Sequence, residues 1–143
     1  MGRNRSNFLI LAVVVSLLVL STSRPTVAGE VEPAQTYTPH AVIHIDGNAE
    51  FLAQDASEGW QGDGSPEDPI IITGYSFAAA EQMLRVENSD LHFKFIDNQL
   101  DGLSYIWCGV TIINVANGVI ENNNIRRAAV SIHVITVENF TIK

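Results

Sequence analysis

The sequence is poor in cysteine and in basic residues, and both shortages exclude classes of protein. Cys108 is the only cysteine among 143 residues, so no disulfide can form within the chain and its stability must come from packing. Its apolar neighbours favour a buried thiol, because no base or metal ligand lies at a recognisable spacing. Eight basic residues stand against sixteen acidic ones, a formal net charge of −8. We therefore expect no nucleic-acid partner, because phosphate binding needs basic surface.

Residues 1–28 have the pattern of a signal peptide. Arg3 and Arg5 precede an apolar run over residues 8–20, and residues 26–28 (TVA) are small enough for cleavage. The run is shorter than the ~20 residues of a membrane-spanning helix, so we predict cleavage, with membrane attachment only through an uncleaved signal. Cleavage removes three of the eight basic residues and none of the sixteen acidic ones, which leaves a formal charge of −11. The predicted location is therefore secreted or at the cell surface.

Three similar segments follow one another in the second half of the chain. They are residues 93–100 (FKFIDNQL), 118–125 (GVIENNNI) and 140–143 (FTIK), and they recur every ~20–25 residues, a period typical of solenoid coils. Each follows another short strand-like stretch, and residues 84–143 nowhere sustain the apolar spacing of an amphipathic helix. A leucine-rich repeat has a similar period, but its dense leucine consensus is missing. We therefore predict an all-β fold, a right-handed parallel β-helix (a solenoid) of about three coils plus an N-terminal capping region.

The corners and the core of this predicted fold can be assigned to residues. Asn and Asp suit tight corners because they tolerate left-handed backbone, and Asn98 should stack on Asn123 as an amide ladder. Alternation at period two points Ile112, Ile120 and Ile132 toward the core.

The domain organisation follows from this assignment. Residues 29–39 read as an extended linker, residues 40–80 as an N-terminal cap with the first strands, and residues 81–143 as coils. The last coil stops at Lys143 before its closing corner, so the fold is expected to be C-terminally incomplete. A fragment of a longer protein, or end-to-end pairing with another β-helix chain, would cover the open last strands.

A turn-rich segment gives the sequence a family resemblance. Residues 62–75 read GDGSPEDPIIITGY, and repeats with Asn corners follow them. This succession resembles the opening of right-handed parallel β-helix repeat proteins of the pectate-lyase-like superfamily, including its NosD-like branch of exported proteins. The resemblance covers residues 40–143 and implies the fold and an exported setting. It implies function only broadly, since the superfamily includes lyases, hydrolases, adhesins and scaffolds.

Acidic residues on the coils are the candidates for catalysis. Enzymes of the superfamily use clustered acids with a nearby Arg or Lys. Asp97 and Glu121, almost in register on two successive repeats with Arg126 nearby in sequence, come closest to that pattern. Such charges are more often a solvated surface, so we assign no catalytic site.

The candidates for metal binding are equally few. Asp63, Glu67 and Asp68 could hold calcium through oxygen ligands, although the surrounding Gly and Pro already indicate a turn. Copper, which the NosD-like resemblance suggests, is not expected because the histidines, Met83 and Cys108 do not converge. No cofactor is predicted.

We therefore expect a cell-surface or secreted binding module, with surface glycans as the ligand class and without a recognisable catalytic site. The alternative is a polysaccharide lyase or glycoside hydrolase of the same superfamily whose active coils are missing from this chain. Coupled Asp or Glu residues on three successive coils would favour the enzyme. This sequence shows such acids on at most two, which favours the binding module.

Overall fold

The computed structural model describes residues 35–143, so the predicted signal peptide lies outside the described residues. The described elements, numbered in chain order, are β1 Thr38–His40, β2 Ile43–Asp46, α1 Asn48–Glu58, β3 Ile70–Thr73, β4 Tyr75–Ala79, β5 Leu84–Ser89, β6 Phe93–Ile96, β7 Gln99–Ala116, β8 Gly118–Glu121, β9 Asn124–Glu138 and β10 Thr141–Ile142. Among these residues, no helix has both the length and the apolar character that crossing a membrane requires.

The strands form two parallel sheets between which the chain passes back and forth. The six-stranded sheet has the order β1-β4-β7-β5-β2, with β9 paired to β7, and the four-stranded sheet has the order β10-β8-β6-β3. All pairs of named strands in this part of the chain are parallel. Parallel neighbours cannot be joined by a tight hairpin, and accordingly no two named strands of residues 35–143 that follow each other in the chain are paired with each other.

Alternating side chains of both sheets fill one core. Ile72, Phe95 and Ile120 share a register position on β3, β6 and β8, and none of them is more than 1% exposed. Ile112 on β7 is also fully buried, so the predicted inward direction of Ile112 and Ile120 is confirmed. Ile132 on β9 packs against this core but is only half-buried.

Two sequence expectations about polar and sulfur groups in the interior are confirmed. Asn98 is completely buried, and its Nδ2 donates to Asn123 Oδ1 at 3.1 Å and to the Ile72 carbonyl at 3.0 Å. Its Oδ1 accepts the backbone N–H of Tyr75 at 3.0 Å. Cys108 is buried as well, and its thiol donates to the carbonyl of Val110.

Helix α1 covers one edge of the six-stranded sheet. It begins after Gly47 and ends at Gly59, whose left-handed backbone lets its N–H donate to the Asp55 carbonyl, a common way to end a helix. Phe51 is its one buried residue, and the ring packs against Phe93 at a centroid distance of 5.4 Å. The rest of the helix faces solvent or is half-buried.

The prediction of an all-β, right-handed parallel β-helix is wrong. The described residues include an eleven-residue helix, and their parallel strands are grouped in a six-stranded and a four-stranded sheet. This is an α/β arrangement that fits a β-helix only loosely. Helix α1 was missed because it buries a single side chain and so lacks a long apolar face. Strands β7 and β9, with 18 and 15 residues, are much longer than the short strand-like stretches that the repeat predicted.

The predicted segment boundaries can be placed on these elements. The range 40–80 holds β2, α1, β3 and β4, and the range 81–143 holds β5 to β10. The predicted linker, residues 29–39, overlaps β1, which pairs in parallel with β4. The boundaries themselves stay predictions.

Candidate functional site: a polar groove at the strand ends

Left-handed backbone recurs at neighbouring positions of the six-stranded sheet. Asn88, Asn114 and Thr136 have φ values of 52°, 51° and 49°. The register of β5, β7 and β9 on either side of these residues places the three at one level. Asn adopts this backbone readily, whereas a β-branched residue such as Thr136 rarely does. The bends interrupt the alternation and turn the three strand ends in the same direction.

A chain of amide hydrogen bonds connects these bends. Asn114 Nδ2 donates to Asn88 Oδ1 at 2.8 Å, and Asn88 Nδ2 donates to Asp46 Oδ1 at 2.6 Å. The carboxylate at the end of the chain strengthens the bond that it accepts. It also fixes the direction of both amides, so Asn114 Oδ1 is left as an acceptor that no donor of residues 35–143 uses.

The first residue of α1 closes one end of the same region. Asn48 Oδ1 accepts from Ser89 Oγ at 2.9 Å and from the Asp90 backbone N–H at 3.1 Å. Asn48 Nδ2 donates to Asp90 Oδ1 at 2.5 Å. Ser89 is only 3% exposed, so the hydroxyl is held in place, and the network ties the helix start to the end of β5.

These strand ends enclose an open depression, which we call the polar groove. Its volume is ≈ 630 Å³, within the usual range for ligand sites. The lining consists of Asn48, Asn88, Ser89, Asp90, Asn114, Val115, Ala116, Thr136, Val137 and Glu138. Amides, hydroxyls and two carboxylates thus surround a short apolar strip. The lining contains no basic residue, so the groove is poorly suited to an anion.

The residues suggested for catalysis have partners of their own in the structure. The backbone N–H of Asp97 donates to the carbonyl of Glu121 at 3.2 Å, but the Glu121 carboxylate pairs with Lys143 at 3.6 Å. Arg126 Nε donates to Asn124 Oδ1 at 3.2 Å. None of the three candidates lines the polar groove.

A separate ion pair joins β7 and β9. Arg127 Nε lies 2.6 Å from Asp101 Oδ1. The hydrogen bond from Arg127 holds the pKa of Asp101 below its usual value, with a smaller contribution from the charge of Arg126. Both partners are partly exposed, so the pair is screened by solvent.

The suggested calcium residues belong to a compact turn. Asp63 Oδ1 accepts the backbone N–H of Ser65 at 2.9 Å, and the Asp68 N–H donates to Ser65 Oγ at 3.1 Å. The hydrogen bonds from Ser65 lower the pKa of the Asp63 carboxyl. Glu67 is exposed on the same turn. Within residues 35–143, no three or more His, Cys, Asp or Glu side chains are grouped to hold a metal ion.

By fold and site, the described chain is a parallel-sheet protein with a polar groove where three strand ends bend. Comparison with protein-family models, curated proteins and solved structures gives no match for this chain. The pectate-lyase-like and NosD-like resemblance therefore stays a hypothesis that rests on residues 62–75 and the Asn corners.

The residues of the groove were missed in the sequence, although a signal for part of it exists. The separation of Asn88 and Asn114 in the chain is 26, close to the separation of 25 between Asn98 and Asn123. A second series of corner asparagines at nearly the same period was therefore visible. Thr136 breaks the series, because threonine is not a residue that predicts left-handed backbone.

Proposed function

We propose that the protein is an exported or cell-surface binding module that holds glycans in the polar groove. The observation that carries this proposal is the mixed lining of the groove, in which fixed amide, hydroxyl and carboxylate groups surround an apolar strip. A sugar ring presents the matching pattern, with hydroxyl groups around its edge and C–H groups on its faces.

Individual groups of the groove suit hydroxyl ligands. Asn114 Oδ1 can accept from a sugar hydroxyl, and Thr136 Oγ1 can both donate and accept. The amide of Asn114 is already oriented by Asn88, so binding would cost little side-chain entropy. Val137 is 37% exposed and supplies apolar surface for a ring face, whereas its register partner Val115 is buried.

Charge narrows the class of glycan. The carboxylates of Asp90 and Glu138 line the groove, and the whole chain carries a formal charge of −8. Acidic polysaccharides would be repelled by these groups. We therefore propose neutral glycans as the ligands, bound without bond cleavage, since Asp97, Glu121 and Arg126 lie outside the groove.

The proposal is tested by binding measurements on matched variants. The protein recovered from a secreting host is screened against a panel of neutral and acidic glycans, with and without calcium. We expect binding to neutral members, and a loss of about tenfold in Thr136→Val, the size of one hydrogen bond to the ligand.

Thr73→Val is the matched control, because Thr73 is an exposed threonine on β3 that does not line the groove. Its affinity should equal that of the parent protein. Equal affinity in both variants would contradict binding in the groove, and no binding to any neutral glycan would contradict the proposed function.

A further inference from the structure

An irregularity in β7 presents a tryptophan to solvent. The register between β7 and β9 shifts between Asp101 and Ile106, and such bulges re-aim the side chains that follow them. Trp107 is 58% exposed, whereas its neighbours Ile106 and Cys108 are 5% and 1% exposed. The indole therefore lies on the side of the six-stranded sheet that faces away from the core.

The exposed indole is held in place by a second ring. The ring centroids of Trp107 and His133 are 4.9 Å apart, and the ring planes meet at 76°, the edge-to-face arrangement that aromatic pairs prefer. Such a contact covers at most one face of the indole. Because 58% of the Trp107 side chain is exposed, much of the indole surface is available for stacking.

His133 and its register partner each hold a buried polar atom that has no hydrogen-bond partner in the described part of the chain. Thr111 and His133 are register partners on β7 and β9, and Thr111 is 1% exposed. Thr111 Oγ1 and His133 Nδ1 are both buried without a hydrogen bond within residues 35–143. Buried polar atoms are nearly always paired, so two adjacent unpaired atoms point to a ligand that supplies hydrogen bonds.

We propose that Trp107, His133 and Thr111 form an aromatic subsite that stacks one pyranose ring of a neutral oligosaccharide. The ring face lies on the indole, and a small rotation of the indole opens Thr111 Oγ1 and His133 Nδ1 to the ring hydroxyls. This inference rests on the proposed function, because it assigns a second contact for the same class of ligand.

The subsite and the polar groove lie along the same strand. Trp107 and Asn114 are both on β7, on the order of 20 Å apart along an extended chain. Ile113 and its register partner Ile135 lie between them, and Ile135 is 42% exposed. One oligosaccharide of several rings could therefore contact the indole and the groove together.

Fluorescence can follow the subsite directly. The chain has two tryptophans, so Trp60→Phe leaves Trp107 as the only indole. This variant is titrated with cellohexaose, xylohexaose and mannohexaose. We expect at least one of them to shift the Trp107 emission and to protect it from iodide quenching. Unchanged emission at saturation, established by calorimetry, would overturn the inference.

Affinities of three further variants separate the subsite from the groove. Trp107→Ala should lose about tenfold or more in affinity, Trp107→Phe should recover part of it, and Thr111→Val should weaken binding while keeping the fold. If Thr136→Val weakens binding but Trp107→Ala does not, the subsite is wrong and the groove stands. If only Trp107→Ala weakens binding, the groove is wrong and the subsite stands. If the parent protein binds none of the probes, both proposals fail.

Discussion

Strands β2 and β9 lie at opposite sides of the six-stranded sheet, and their burial differs sharply. Both carry apolar residues in alternation, and in the described part of the chain each pairs with a single strand. Ile43 and Ile45 of β2 are 0% and 2% exposed, because α1 packs on this edge through Phe51. Strand β9 contains no buried residue. Alternation thus determines which side chains point inward, whereas the neighbouring element determines how deeply they are buried.

The same lesson appears between two strands that are directly paired. Val110 and Ile112 of β7 are fully buried, while their register partners Ile132 and Val134 of β9 are half-buried. Strand β7 has neighbours on both sides, β4 and β5 on one and β9 on the other. Residue types alone therefore overestimate the contribution of β9 to the core.

The largest loss of stability is expected from a charge placed at a completely buried position, Asn98. Asn98→Asp keeps the shape of the side chain but would direct a buried carboxylate at two acceptors, the Ile72 carbonyl and Asn123 Oδ1. A buried charge without partners costs several kcal/mol, a large share of the ~5–15 kcal/mol that stabilises a small domain. We expect little or no cooperative unfolding transition at neutral pH, measured by circular dichroism in urea.

Asn139→Asp is the matched control at an exposed position. Asn139 also donates to an asparagine, Asn117 Oδ1, at 3.2 Å, but it is exposed. Water can replace the lost bond, so a loss of no more than about 1 kcal/mol is expected. Equal losses in the two variants would show that burial does not distinguish the two regions.

An intermediate effect is expected from truncating isoleucines on the two long strands. Ile112→Ala on β7 should lower the free energy of unfolding by about 2–5 kcal/mol, the usual cost of a cavity in a closed core. Ile135→Ala on β9 should cost less than about 1 kcal/mol, because this side chain is already 42% exposed. Denaturation midpoints of the two purified variants give the comparison, and similar losses would contradict it.

The sequence predicted which side chains point inward better than it predicted the fold class. The repeat period placed Asn98 on Asn123 correctly. The left-handed residue of each corner is the one before it, Asp97 or Asn122, and both are residue types that tolerate such backbone. The same pattern carried no information on α1, whose polar sequence contributes Phe51 alone to the core. A helix that buries only one aromatic side chain has no periodic pattern of apolar residues from which it could be predicted.

The candidate site was less accessible to prediction than the fold. The acids that attracted attention, Asp97 and Glu121, were chosen because their spacing matches the repeat, but spacing does not determine the direction of a side chain after a bend. The polar groove depends on the bends at Asn88, Asn114 and Thr136 and on the helix start at Asn48. These residues come from four elements or their ends, and only the three-dimensional register brings them together.

The smallest loss of stability is expected from breaking the partly exposed ion pair between Asp101 on β7 and Arg127 on β9. Arg127 lowers the pKa of Asp101 in the folded protein, so the folded state binds this proton less readily than the unfolded state does. The pair therefore contributes stability above the unfolded pKa of about 3.9, and the contribution is lost as the pH falls through the lowered value. Asp101→Asn should melt slightly below the parent protein at pH 7, and the two Tm values should converge in strong acid. Asp97→Asn, which removes a carboxylate outside any ion pair of residues 35–143, should show no such convergence. A Tm gap for Asp101→Asn that persists unchanged into strong acid would mean that the loss comes from packing around Asp101, and that charge does not hold β9 to β7.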